Sequence, residues 1–347
     1  MSPTAPASAP AASRRAALLE ELADLRRARN AVILAHYYQE GEIQDVADFV
    51  GDSLGLSQQA ATTDAEVIVF AGVHFMAETA KILNPGKTVV VPDIDAGCSL
   101  DESAPAGPFA EWVAAHPGAT VVTYINCSAA VKALSDIICT SSNAERVIRS
   151  VPEGTPILFA PDEHLGAWLQ RRTGREMTLW PGRCMVHDAF AVEQLQRLLD
   201  QYPDASVVAH PECPAEILAL ADYVGSTTGL IDHVARNPGR VHIVATEAGL
   251  LHEIRRRAPE ARVIPLPPSR SNVLGAATTA SIPAPGEHVL PVEPEHGCAC
   301  AVCPHMRRNT LEKLVACLRD LRPAIELDPE IARRALRPIR RMLEISA

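Results

Sequence analysis

Residues 31–53, AVILAHYYQEGEIQDVADFVGDS, decide the fold. Ala31 to His36 form a short apolar run rich in β-branched residues, the mark of a buried strand, and the run ends on a histidine. The pattern returns at Ala119 to Tyr124 and at Ala205 to His210, the terminal polar residues standing 88 and 86 positions apart. Twelve residues after each comes an aspartate (Asp48, Asp136, Asp222), and five residues later a hydroxyl (Ser53, Ser141, Thr227). An apolar helical stretch is expected between strand end and hydroxyl each time. Three matches at identical internal offsets define a repeat, so the chain reads as three related α/β units.

Each unit continues with two more strand-like segments. Val67 to Gly72, Ile157 to Pro161 and Val241 to Thr246 form one equivalent set; Thr88 to Pro92, Met177 to Pro181 and Arg262 to Pro265 form the other. Short strands alternating with Ala- and Leu-rich helices predict parallel sheets covered on both faces. The expected fold is therefore α/β: three homologous three-layer α/β/α domains around a pseudo-threefold axis, with a site at their junction. The expected division is a disordered tail over 1–13, domain 1 over 14–105, domain 2 over 106–190 and domain 3 over 191–303 with an insertion at 266–297. Helices over 304–347 are expected to pack on domain 1.

Composition narrows the function. The 347 residues are 47% hydrophobic, enough for several cores, and the net charge of -10 excludes a general nucleic-acid or anionic-membrane binder. No apolar run approaches the ~20 residues of a membrane span. Nine cysteines in so long a chain do not resemble a small secreted disulfide scaffold; reduced cytoplasmic thiols, some binding metal, fit better.

After the third strand the first two units each place a cysteine, Cys98 and Cys184, again 86 apart. The third equivalent is due near position 270, where only Pro267-Pro268-Ser269-Arg270 stands, and Cys298-Ala299-Cys300-Ala301-Val302-Cys303 follows the insertion. Parallel sheets bind ligands at the carboxyl ends of their strands. With those ends turned toward a common axis, one pocket receives His36, Tyr124, His210, Ser53, Ser141, Thr227 and three thiols. Three thiolates without a fourth suit an iron–sulfur cluster with one open iron. A local zinc site made of Cys298, Cys300, Cys303 and His305 is the alternative. Cys127, Cys139, Cys213 and Cys317 read as small buried residues.

The blocks Leu34 to Gln39, Gly51 to Leu54, Met76 to Pro85, Pro92 to Leu100, Tyr124-Ile125-Asn126, Thr140 to Ala144, His210-Pro211-Glu212-Cys213, Gly225 to Thr227 and Asn309 to Lys313 together resemble the quinolinate synthases, iron–sulfur enzymes of de novo NAD biosynthesis. The resemblance runs from about Leu18 to Leu318. It implies condensation of iminoaspartate with dihydroxyacetone phosphate to quinolinate. It further implies a 4Fe-4S cluster on Cys98, Cys184 and Cys303. The substrate-binding residues it implies are His36, Ser53, Tyr124, Ile125, Asn126, Ser141, His187, His210, Pro211, Glu212 and Thr227. For proton transfer it points to Tyr38, Glu212 and His210. An L-aspartate oxidase or dehydrogenase upstream, cytoplasmic location and a homodimer belong to the same expectation. Rival expectations are a zinc-dependent aldolase or hydro-lyase and a redox sensor using Cys298 and Cys300.

Overall fold

The computed structural model describes residues 9–269 and 300–346. The first unit runs α1 (Ala9–Ala28), β1 (Ala31–His36), α2 (Gly41–Val46), β2 (Phe49–Gly51), α3 (Ser53–Thr62), β3 (Val67–Ala71), α4 (His74–Leu83) and β4 (Thr88–Val90). Helices α5 (Ser99–Ser103) and α6 (Ala106–Ala114) lead to β5 (Thr120–Tyr124), α7 (Ala129–Lys132), β6 (Ile137–Cys139), α8 (Ala144–Ser150), β7 (Ile157–Ala160), α9 (Glu163–Thr173) and β8 (Thr178–Leu179). The third unit is α10 (Val192–Gln201), β9 (Ser206–Ala209), α11 (Ala215–Ala219), β10 (Tyr223–Val224), α12 (Thr227–Arg236), β11 (Val241–Ala245), α13 (Leu250–Arg257) and β12 (Arg262–Pro265), after which come α14 (Leu311–Asp320) and α15 (Pro329–Ser346).

Among the described residues these strands make three four-stranded sheets of identical order, β2-β1-β3-β4, β6-β5-β7-β8 and β10-β9-β11-β12. All named pairs are parallel. The central strands are buried on both faces, as helices on either side of a parallel sheet require. The expected α/β architecture of three copied units is thus observed.

The repeated aspartate has a structural task that the spacing alone could not reveal. Each stands just before the short edge strand, where Asp48 Oδ2 accepts the Ile33 N–H, Asp136 Oδ2 the Val121 N–H and Asp222 Oδ2 the Val207 N–H, all at 2.8 Å. The aspartate's own N–H returns a bond to the carbonyl of the same partner at 2.8–2.9 Å. One residue therefore pins the edge strand to the central strand in every unit. The edge strands themselves, two or three residues long, escaped the sequence reading because so short a run carries no period.

Two expectations are corrected. Helix α1 begins at Ala9, so the tail read as disordered over 1–13 is helical from that residue onward; alanine, abundant there, is the strongest helix former. The C-terminal helices also part company. Leu311, Leu314, Val315 and Leu318 of α14 pack in one cluster with Leu22 and Val69 of the first unit. Helix α15 lies mainly on the second unit while also meeting α4 of the first: Ala335, Ile339 and Met342 share a core with Ile137, Ile138 and Ala129 and with Phe75 and Ala77. Its end is tied down by Arg146 donating to the Ile345 carbonyl and Asn143 to Ser346 Oγ. Amphipathicity marks the face that α15 buries and is silent on which sheet receives it.

Candidate active site

The carboxyl ends of the three sheets open onto one pocket. Its lining takes in His36, Ser53, Tyr124, Asn126, Ser141, His210, Glu212 and Thr227 with Tyr38, His187, Cys98, Cys184 and Cys303. Ile125 and Pro211 are buried but do not line it; Ile125 donates its N–H to the Cys139 carbonyl inside the second sheet.

The hydroxyls Ser53 and Thr227 are the first residues of α3 and α12, and the capping falls one residue earlier, on Asp52 and Ser226. Asp52 does more. Its Oδ1 accepts the Gly55 N–H at 2.8 Å, while Oδ2 accepts Ser142 Oγ–H of the second unit at 2.6 Å and Thr228 Oγ1–H of the third at 2.8 Å. A single carboxylate thus joins the starts of three equivalent helical segments and sets the separation of Ser53, Ser141 and Thr227.

The repeat also fixes histidine tautomers. Tyr38 N–H donates to His36 Nδ1 at 3.2 Å, and Glu212 N–H donates to His210 Nδ1 at 3.4 Å, the same two-residue step in units one and three. An Nδ1 that accepts leaves the proton on Nε2, so each neutral ring is a hydrogen-bond donor there. His210 Nε2 lies 3.2 Å from Ser141 Oγ. Burial lowers His36 to about 4, against the pull of Asp52 and Glu212, and lowers His210 to about 3 against that of Glu212.

Glu212 is the hub. Burial opposes its ionisation, but the His210 and His187 rings and hydrogen bonds from His187 and Tyr124 outweigh burial and hold the carboxyl well below its usual range. Tyr124 Oη donates to Oε1 at 2.6 Å, and His187 Nδ1 stands 2.9 Å from Oε2. On the far side of that ring, His187 Nε2 meets Thr246 Oγ1 at 2.9 Å, and Thr246 Oγ1 meets Tyr38 Oη at 2.8 Å. With Nδ1–H facing the carboxylate, the neutral ring accepts at Nε2, so the chain runs Tyr38 O–H to Thr246 O–H to His187 to Glu212. Burial, then the Glu212 charge, raise both Tyr38 and Tyr124 well above the ordinary phenol value. Thr246 is the member that the sequence analysis missed; its signal is a polar residue at the end of β11, the same feature that singled out His36 and His210.

The thiols of Cys98, Cys184 and Cys303 also converge, and each accepts backbone N–H groups two or three residues ahead: Leu100 and Asp101 for Cys98, His187 for Cys184, His305 and Met306 for Cys303. This repeated turn presents N–H dipoles to a sulfur that bears negative charge, as in a metal–thiolate site. Burial raises all three thiols, Cys303 to about 11. The set fits a cluster held by three cysteines. Of the local zinc alternative, Cys300 is disulfide-bonded and Cys298 lies outside the described residues. Cys127, Cys139, Cys213 and Cys317 are free and buried, as expected.

Three copied α/β units that close on one buried, polar, thiol-bearing pocket define an enzyme of small-molecule chemistry with a capacity for metal. The family model described as quinolinate synthetase A protein matches residues 20–344. Relatives named quinolinate synthase include those of Trichodesmium erythraeum, 49% identical over 95% of this chain and 94% of the relative, and Cyanothece sp., 51% identical over 98% and 99%. That of Prochlorococcus marinus is 50% identical over 99% of this chain and 95% of its own length. The chain belongs to the quinolinate synthase family.

Proposed function

We propose that the enzyme condenses iminoaspartate with dihydroxyacetone phosphate, releasing phosphate and water to give quinolinate. The carrying observation is the meeting, in one pocket, of N–H-solvated thiols from three arms with neutral imidazoles and hydroxyls suited to anions. The Nε2–H groups of His36 and His210 donate to carboxylate or phosphate oxygens, and Ser53 and Thr227 do so at the starts of α3 and α12, where exposed N–H groups favour negative charge. Asn126 Oδ1 is buried without a partner, an acceptor waiting for an N–H or O–H of the substrate.

Ionised Glu212 takes a proton in the isomerisation and dehydration steps. The Tyr124 hydroxyl stabilises its charge, and the Thr246–His187 link connects it to Tyr38, so that a proton removed on one side of the pocket can be returned on the other. Cys98, Cys184 and Cys303 would hold a 4Fe-4S cluster whose open iron supplies Lewis acidity toward substrate oxygens. The same reading places the enzyme in the cytoplasm, fed by an L-aspartate oxidase or dehydrogenase; among the described residues no helix is long and apolar enough to cross a membrane.

One observation favours a second reading: ligand atoms of Cys184, His187 and Glu212 all lie within 4.8 Å of one another, a set that would take zinc. Zinc there leaves Cys98 and Cys303 without a task. Anaerobic purification followed by iron, acid-labile sulfide and zinc assays, then a quinolinate assay from the two substrates, separates the readings. A brown protein that forms quinolinate is expected. Colourless protein with stoichiometric zinc overturns the cluster, and an intact cluster without quinolinate overturns the reaction.

A further inference from the structure

Cys303 reaches the pocket without the support its two counterparts have. Cys98 comes eight residues after β4 and Cys184 five after β8, whereas Cys303 comes 38 residues after β12, on the segment that crosses from the third unit back to the first. Around it the structure builds a closed ring of polar contacts. Glu247, directly beyond Thr246 at the end of β11, has a side chain with 0% exposure. Its Oε1 accepts the Cys303 N–H at 3.1 Å and an Arg307 Nη2–H at 3.2 Å, and its Oε2 accepts the Gly249 N–H at 2.6 Å. Arg307 N–H in turn donates to the Cys303 carbonyl at 3.2 Å, and Arg307 Nε pairs with Glu40 of the first unit at 3.0 Å. Beside this ring, the Ala248 N–H donates to the Ala301 carbonyl at 2.8 Å. Gly249 lies so close to the Tyr38 backbone that an added Cβ would sit 2.8 Å from it, so the third unit meets the first here at backbone distance.

Both backbone groups of Cys303 are therefore committed, its N–H to the Glu247 carboxylate and its C=O to the backbone N–H of Arg307, whose guanidinium is bonded to Glu247. We propose that Glu247, with Arg307 and Glu40, is the positioning device for the third metal ligand, holding the Cys303 thiol against the other two although its strand lies far off in the chain. This rests on the cluster reading given above. Glu247 acts through Cys303; no role in proton transfer is assigned to it. Residues behind metal ligands set ligand orientation, and their loss typically weakens metal binding ~10–100-fold.

The test loads the full chain with iron and sulfide anaerobically and follows iron release to a chelator, alongside far-UV circular dichroism of the metal-free protein. Glu247→Ala is expected to release iron about 10–100-fold faster than the parent with unchanged secondary structure. Glu247→Gln, which keeps an oxygen for the Cys303 N–H, falls between the two. Glu253→Gln alters another buried carboxylate of the same unit, one engaged with Arg256 and Arg257 and not with the Cys303 arm, and should release iron like the parent. Parent-like release by Glu247→Ala overturns the proposal, as does equally fast release by Glu253→Gln, which would mark general loosening. Should Glu247→Ala fail to fold, Arg307→Gln carries the test: faster release supports the device and parent-like release overturns it. A parent that binds no iron and sulfide overturns the cluster reading instead.

Discussion

The arms that carry Cys98 and Cys184 and the arm that carries Cys303 reach the same pocket by different means. The first two are copies: a short fourth strand, a brief loop and a cysteine whose sulfur faces the N–H groups of the following turn. They are also joined to each other, since Met185 N–H donates to Ser99 Oγ at 3.0 Å across the unit boundary. The third arm keeps the turn after the cysteine but loses the nearby strand; a buried carboxylate meets the cysteine N–H there as Asp162 does in the second arm, and only in the third is it ion-paired, with Arg307. Duplication copies what a sheet can hold. Where the chain leaves the sheet, side chains must supply the constraint.

The largest effect that would break this comparison is a difference among the cysteines themselves. Cys98→Ser, Cys184→Ser and Cys303→Ser are each expected to abolish cluster binding and quinolinate formation, while Cys317→Ser, buried in the first unit, retains both; full iron content in Cys303→Ser would remove the third arm from the site. Next comes the hub that the strand ends share. Glu212→Gln should lower kcat by about 10²–10⁴ with iron content unchanged. A loss seen only in KM would make Glu212 a binding group rather than a base.

A smaller effect sharpens the symmetric side of the comparison. Asp48→Ala, Asp136→Ala and Asp222→Ala each strand one strand N–H, and each should cost about 1–3 kcal/mol in urea unfolding of the metal-free protein. Near-equal values are expected for Asp136 and Asp222, with Asp48 somewhat higher because it also pairs with Arg26 at 2.8 Å. A negligible cost in any unit would show that its edge strand is held by other means.

A last effect is in acid. His36 is neutral in the fold with a value near 4, against an ordinary 6.5, so the unfolded chain takes up the proton first as pH falls. The stability that His36 contributes is complete above about 6.5 and is lost progressively down to about 4; His210 behaves alike, down to about 3. Tyr124, at the equivalent strand end, does not titrate in that window. Urea midpoints of the metal-free protein should fall between pH 6.5 and 4, and less steeply in His36→Asn. A midpoint that is flat across that range in the parent would contradict the buried neutral state.

Much of the pocket was legible because the repeat places polar residues where parallel strands end. His36, Tyr124, His210 and the hydroxyls that follow were found by offset alone, and the structure brings them together. Thr246 escaped because its counterparts, Gly72 and Pro161, are not polar; Glu247 escaped although its second-unit counterpart, Asp162, is also a buried acid and faces the Cys184 N–H, because the first unit has Val73 there. Asp52 escaped for another reason: the residues it joins, Ser142 and Thr228, are 90 and 176 positions away, and nothing local announces such a contact.

By itself the sequence determined the three α/β units, the polar strand ends and the thiols, since periodicity and repeat offsets are local properties of the chain. The tertiary structure alone decided which sheet α15 covers, which carboxylate joins the three helix starts, and how Cys303 is held far from its strand. Those are meetings of distant surfaces, set by shape and by the cost of leaving a buried polar group unpaired, and no spacing in a linear sequence encodes them.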